Sequence, residues 1–120
     1  MKIAFTTSGA DLSAPLDPRF GRAQKFLVYD TDARTFDIVD NAQNLNAAQG
    51  AGIQAAQRII AAGAQALVSG HCGPKAFRVL NAAGVKVYTS DAKTVDEALK
   101  LHQDGKLAES AAPNVGGHWS

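Results

Sequence analysis

The chain opens on a short apolar run, Lys2-Ile3-Ala4-Phe5-Thr6-Thr7, whose length and content predict a strand. Two β-rich runs follow, Lys25-Phe26-Leu27-Val28-Tyr29-Asp30 and Thr35-Phe36-Asp37-Ile38-Val39-Asp40. The four residues between them, Thr31-Asp32-Ala33-Arg34, predict an antiparallel hairpin. Phe36 and Ile38 alternate with Asp37 and Asp40, as in a sheet with one wetter face. Over residues 50–62 the period lengthens: Ile53, Ala56, Ile59 and Ile60 fall at helical spacing, and Gly63 stands where a left-handed C-terminal cap belongs. Strand and helix then alternate. Residues 65–69 predict a strand, 75–83 a helix ended by Gly84, 85–88 a strand, and 95–103 a helix stopped by Gly105.

The predicted order is βββαβαβα, an antiparallel start followed by βα units, which gives an α/β fold with a mixed sheet and helices on its faces. This order suggests a ribonuclease H-like architecture. Residues 8–21 are rich in Gly, Pro, Asp and Ser without sustained periodicity, and predict a long exposed loop beyond the first strand. Residues 1–107 form the expected domain, and 108–120, rich in Ala, Pro and Gly, an expected flexible tail in which Trp119 could dock.

Length and charge narrow the classes. With 120 residues, 46% of them apolar, the chain has material for one core and no room for a second domain. Its net charge of +1 gives no global field to recruit nucleic acid or an anionic membrane, so attraction for an anion must be local. One cysteine, Cys72, excludes an internal disulfide and a four-thiolate iron-sulfur cage from this chain alone. A lone thiol and the absence of a leader-like or membrane-spanning apolar run lead to an expected cytoplasmic location.

In open α/β sheets ligands collect outside the carboxyl ends of the strands, which directs attention to the turns after the first, third and fourth strands. Ser69-Gly70-His71-Cys72-Gly73-Pro74-Lys75 joins a strand to a helix, with Pro74 suited to the first helical turn and Gly70 and Gly73 permitting close backbone approach. Its free N–H groups and the helix dipole would face an anion, Lys75 would add charge, and His71 could donate a hydrogen bond or coordinate metal. Cys72 is either a ligand or a small core side chain. The glycines Gly50 and Gly52, following Asn44, lead into the first long helix and either free backbone donors or let it pack tightly. Arg19, Phe20, Gly21 and Arg22 bring two guanidinium groups into the long loop, which could close over the site.

The chain contains no P-loop, Gly-x-Gly-x-x-Gly, Gly-x-Ser-x-Gly or paired zinc-binding histidines. Ribonuclease H-like nucleases hold two metal ions with carboxylates on the first and fourth strands, where this chain offers Thr6, Thr7 and Ser69. Asp11, Asp17, Asp30 and Asp91 read as caps, turns or solvated charge.

The Arg19-Phe20-Gly21-Arg22 segment with Phe26, the Gly50-Ala51-Gly52-Ile53-Gln54-Ala55-Ala56 helix start and the Gly70-His71-Cys72-Gly73-Pro74-Lys75-Ala76 turn together resemble the dinitrogenase iron-molybdenum cofactor biosynthesis family. The resemblance runs over about residues 1–107, through Leu80-Asn81-Ala82-Ala83-Gly84-Val85 and Glu97-Ala98-Leu99 to Gly105-Lys106-Leu107. It implies a ribonuclease H-like fold and a carrier or assembly protein for a molybdenum-containing sulfide cluster. Small stand-alone members of the family include one that binds a mixed molybdenum-copper sulfide cluster. By that likeness the cluster is held non-covalently, at Arg19, Phe20, Gly21, Arg22, Asn44, Gly50, Gly52, Gly70, His71, Gly73, Pro74 and Lys75, with Cys72 and His71 as candidate metal ligands. Another molybdenum- or iron-sulfide cluster is the alternative cargo.

The leading expectation is thus a metal-cofactor carrier with no reaction of its own, working with protein partners in cofactor transfer and with neither nucleic acid nor membrane. Two others compete with it: a phosphate- or nucleotide-binding, metal-dependent phosphoryl-transfer enzyme using the same helix N-terminus, and an interaction module whose Gly116-Gly117-His118-Trp119 tail recruits a partner.

Overall fold

The computed structural model describes residues 1–41, 51–107 and 109–110. Five strands and three helices follow one another as β1 (Lys2–Thr7), β2 (Lys25–Asp30), β3 (Thr35–Asp40), α1 (Ala51–Ala61), β4 (Ala66–Ser69), α2 (Pro74–Ala82), β5 (Lys86–Thr89) and α3 (Val95–Gln103). The strands form one sheet in the order β3-β2-β1-β4-β5. β1 pairs antiparallel with β2, with Phe5 opposite Leu27, and parallel with β4, with Phe5 beside Val68. β2 and β3 are the antiparallel hairpin, while β4 and β5 run parallel. The hairpin turn is held by Asp30, whose Oδ1 accepts from the Asp32 and Ala33 N–H groups; these bonds lower the pKa of its carboxyl.

Because strand residues alternate faces, neighbours on one strand serve different cores. Ala4, Phe26, Val28, Leu67 and Val87 meet Ala55 and Ile59 of α1 and Phe77 and Leu80 of α2. Ile3, Phe5, Leu27 and Val68 meet Val95, Ala98 and Leu99 of α3 on the other side. The result is a three-layer sandwich in which the helices lie on both faces of the sheet. β3 is an edge strand, and Phe36 on it is 36% exposed. The helices end at Gly63, Gly84 and Gly105, all at positive φ, where a side chain would be strained. Thr94 starts α3 by accepting the Glu97 N–H at 3.2 Å.

The segment 8–21 departs from the exposed loop expected of it. It is a strap bound across the carboxyl end of β1. Thr7 Oγ1 donates to the Pro15 carbonyl at 2.7 Å, the Asp17 N–H donates to the Thr6 carbonyl at 2.8 Å, and the Leu16 N–H donates to the Lys93 carbonyl at 3.1 Å. Ala14, Leu16 and Phe20 are buried. Their spacing follows neither the strand nor the helix period, so the sequence pattern does not reveal that they belong to the core. Within the stretch expected as tail, Glu109 bridges Tyr88 antiparallel and the Ser110 N–H donates to the Val87 carbonyl at 2.7 Å. Trp119 lies outside the described residues. Among the described residues no helix is long and apolar enough to cross a membrane.

Candidate functional site

The turn from β4 into α2 is fixed by its neighbours before any ligand is considered. Thr6 Oγ1, fully buried, donates to the Asp17 carbonyl, and Ser69 Oγ, 3.3 Å from it, lies 3.3 Å from the His71 carbonyl that it donates to. The Phe20 N–H also donates to the His71 carbonyl, at 3.2 Å, and Arg19 pairs with His71 as a parallel bridge. Gly70 is needed for this approach, since a Cβ there would lie 2.6 Å from Pro18 Cα and 2.7 Å from its carbonyl oxygen. The strap thus occupies the gap between the ends of β1 and β4, a place where an open α/β sheet often admits a ligand.

Among the described residues a cavity lies on each side of the turn. The first, of about 330 Å³, lies at the N-terminal ends of α1 and α2 and is walled by Phe20 and Gly21 of the strap, Gly52 and Ile53 of α1, and Gly73–Ala76 at the start of α2. The two helix ends come close because Gly52 has no side chain; a Cβ there would meet Ala76 Cβ at 3.3 Å. Gly73 is the N-cap of α2 and supplies no side-chain cap, so none competes for the first-turn N–H groups, and Pro74 follows at the first helical position. Neither α1 nor α2 carries an acidic residue in its first turn. A Cβ at Gly73 would meet nothing within 4 Å, so packing alone does not require glycine there. Phe20 packs on Phe26 with ring centroids 5.5 Å apart, a contact that fixes the apolar wall.

The second cavity, about 650 Å³, lies at the carboxyl ends of β4 and β5. Gly70 and His71 line it from the turn after β4, Thr89, Ser90 and Asp91 from the end of β5 and the turn after it, Pro18 from the strap, and Leu101, Lys106 and Leu107 from the α3 side.

The single pocket expected from sequence is therefore divided. Phe20, Gly21, Gly52, Gly73, Pro74 and Lys75 come together at the helix-end cavity, whereas Gly70 and His71 face the strand-end cavity. Arg19 and Arg22 are exposed and line neither; Arg19 Nε lies 3.5 Å from Asp17 Oδ1, which draws it away. Asn44 and Gly50 lie outside the described residues. Cys72 differs from a candidate metal ligand: its side chain is 1% exposed in the core beneath α1 and α2, and desolvation pushes its thiol up to about 12, so the thiolate is scarce near neutral pH. Among the described residues no group of three His, Cys, Asp or Glu is placed to hold a metal ion.

Five further residues were not singled out as site residues from sequence. Asn41, fully buried at the end of β3, donates through Nδ2 to the Ala23 carbonyl at 2.7 Å and so anchors the chain just beyond Gly21 and Arg22. Thr89, Ser90, Asp91 and Lys106 form much of the strand-end cavity. The available signal for Thr89, Ser90 and Asp91 was topological: β5 is parallel to β4, so its carboxyl end opens on the same edge.

A family model described as dinitrogenase iron-molybdenum cofactor matches residues 1–105. The chain is similar to the apo form of the orange protein from Desulfovibrio gigas, with 42% identity and a TM-score of 0.91, covering 94% of this chain and 95% of that one. It is also similar to the NMR structure of a Thermotoga protein of the DUF35 family, with 34% identity and a TM-score of 0.84 over 97% of this chain and 98% of that one. An uncharacterized protein of Methanocaldococcus jannaschii is 33% identical over 110 residues, 89% of each chain.

Proposed function

The chain belongs to the dinitrogenase iron-molybdenum cofactor family, and from that premise we propose that it carries an anionic molybdenum-containing sulfide cluster, held without covalent attachment in the helix-end cavity. The observation that carries this reading is the convergence of two helix N-termini, neither with a carboxylate in its first turn, on one small cavity edged by Lys75. Such a cluster satisfies its metals with its own sulfides. It needs hydrogen-bond donors, positive potential and a dry wall more than protein thiolates. The first-turn N–H groups of α2 supply donors, the two helix dipoles and Lys75 supply potential, and Phe20 limits water. At about 330 Å³ the space is within the roughly 300–1,000 Å³ range of small-ligand sites.

The finer reading is a mixed molybdenum-copper sulfide cargo, as the family resemblance read from the sequence implies, and a carrier role with no reaction of its own, exercised through transfer to a partner protein. The element order and sheet also support a ribonuclease H-like description. The nuclease chemistry of that architecture lacks support here, because Thr6, Thr7 and Ser69 occupy the ends of β1 and β4 and their hydroxyls secure the strap and the turn.

The test is to mix the metal-free chain with tetrathiomolybdate and copper, pass it through gel filtration and measure metal content and the visible spectrum. A coloured complex of fixed stoichiometry is expected, and it should weaken in Gly73→Val, whose new side chain narrows the cavity. Protein emerging free of metal would overturn the carrier reading. Equal retention by a folded Gly73→Val chain would move the cargo elsewhere.

A further inference from the structure

The strand-end cavity takes no share in the function proposed above. It arises from the topology: β4 leads into α2 on one face of the sheet and β5 leads toward α3 on the other, and among the described residues a gap is left between the two departing turns. In open α/β sheets this is where ligands bind. Its lining has a definite chemistry. Asp91 and Lys106 supply opposite charges, and neither side chain has an ion-pair or hydrogen-bond partner among the described residues. His71 lines the same cavity, and Ser90 Oγ, accepting the Ala92 N–H at 3.1 Å, keeps its own proton to donate. Leu101 and Leu107 provide an apolar side. A ligand of a single charge sign would meet one like charge here. A molecule carrying an ammonium and a carboxylate next to an apolar group would satisfy every side.

We propose that the strand-end cavity is a second, separate binding site for a small zwitterion of the α-amino acid type, free or as a di- or tripeptide. Lys106, with His71 and Ser90, receives the carboxylate; Asp91 receives the ammonium; Leu101 and Leu107 pack on an apolar side chain. The exposure of the charged groups makes the site a weak one, with dissociation constants on the order of micromolar to millimolar.

The full chain is titrated with leucine, leucyl-leucine, N-acetyl-leucine, leucinamide and inorganic phosphate, following backbone amide shifts by NMR. Leucine or its dipeptide should bind about tenfold or more tighter than the two singly charged analogues and phosphate, and should shift Ser90 and Asp91. Tighter binding of the dipeptide assigns the site to peptides, and equal or tighter binding of leucine assigns it to free amino acids. Lys106→Gln should abolish the preference for leucine over leucinamide, and Asp91→Asn the preference over N-acetyl-leucine. Binding of N-acetyl-leucine or phosphate as strong as that of leucine, preferences unchanged in both variants, or no shifts around the cavity would overturn the proposal. Capture of tetrathiomolybdate with copper by Asp91→Asn should match the unaltered chain, so the two sites stand or fall separately.

Discussion

Pro18 lies where a side chain on Gly70 would have to go: a Cβ at position 70 would come 2.6 Å from Pro18 Cα and 2.8 Å from Pro18 Cβ. Backbone cannot yield as a long side chain can, so Gly70→Ala forces the strap away from the turn. Overpacking of this kind costs about 1–3 kcal/mol, and the upper part of that range is expected in urea melts. Gly73→Ala, with open space around it and φ −67, should stay within roughly 0.5 kcal/mol of the unaltered chain, because a modest loss of capping is offset by a stiffer unfolded chain.

Thr6→Val keeps the shape of a buried residue but removes the hydroxyl that donates to the Asp17 carbonyl. A part-buried acceptor left without its partner costs about 1 kcal/mol, toward the low end of the range for buried groups. Equilibrium unfolding should show that loss, and amide exchange should quicken around residues 17–20 before the strands open.

The Cys72 thiol sets a pH dependence with a definite sign. Its pKa rises from 9.0 in the unfolded chain to about 12 in the fold, so the folded state holds the proton more tightly. The stabilisation is complete below pH 9 and is lost as pH climbs from about 9 toward 12, at a slope approaching 1.4 kcal/mol per pH unit. Comparing unfolding free energies of the unaltered chain and Cys72→Ala across that window isolates the contribution, which should vanish in the variant. The same burial should make Cys72 slow to react with iodoacetamide at pH 8, while Cys72→Ala should capture the cluster as the unaltered chain does.

Lys75 stands at the mouth of the helix-end cavity. Lys75→Gln should weaken cluster capture roughly tenfold at low salt, and by less as added salt screens the charge. Competition against a chelator at two ionic strengths measures both effects.

The regular elements were legible from sequence because their signals are local. The Lys25–Asp30 and Thr35–Asp40 strands and the Val95–Gln103 helix match the expected spans, and Gly63, Gly84 and Gly105 mark real helix ends. Gly73 of the turn and Phe20, singled out on equally local signals, line one cavity together with Gly52. What could not be read was the strap, because the Thr6 and Thr7 hydroxyls act through the carbonyls of Asp17 and Pro15 across the loop, and a hydroxyl at a strand end does not announce its acceptor. The division into two cavities follows from that strap, and so does the separation of His71 from Lys75, only four positions away.

Glu109 and Ser110 matter for anyone who shortens this chain. They pair with Tyr88 and Val87 on the outer side of β5, four residues or more beyond the end of the family match at residue 105. A fragment cut at the family boundary would leave β5 with bare backbone hydrogen-bonding groups along a sheet edge, an invitation to strand-to-strand association between molecules. Such fragments should self-associate with rising concentration, whereas chains extended through Ser110 carry their own cover for that edge.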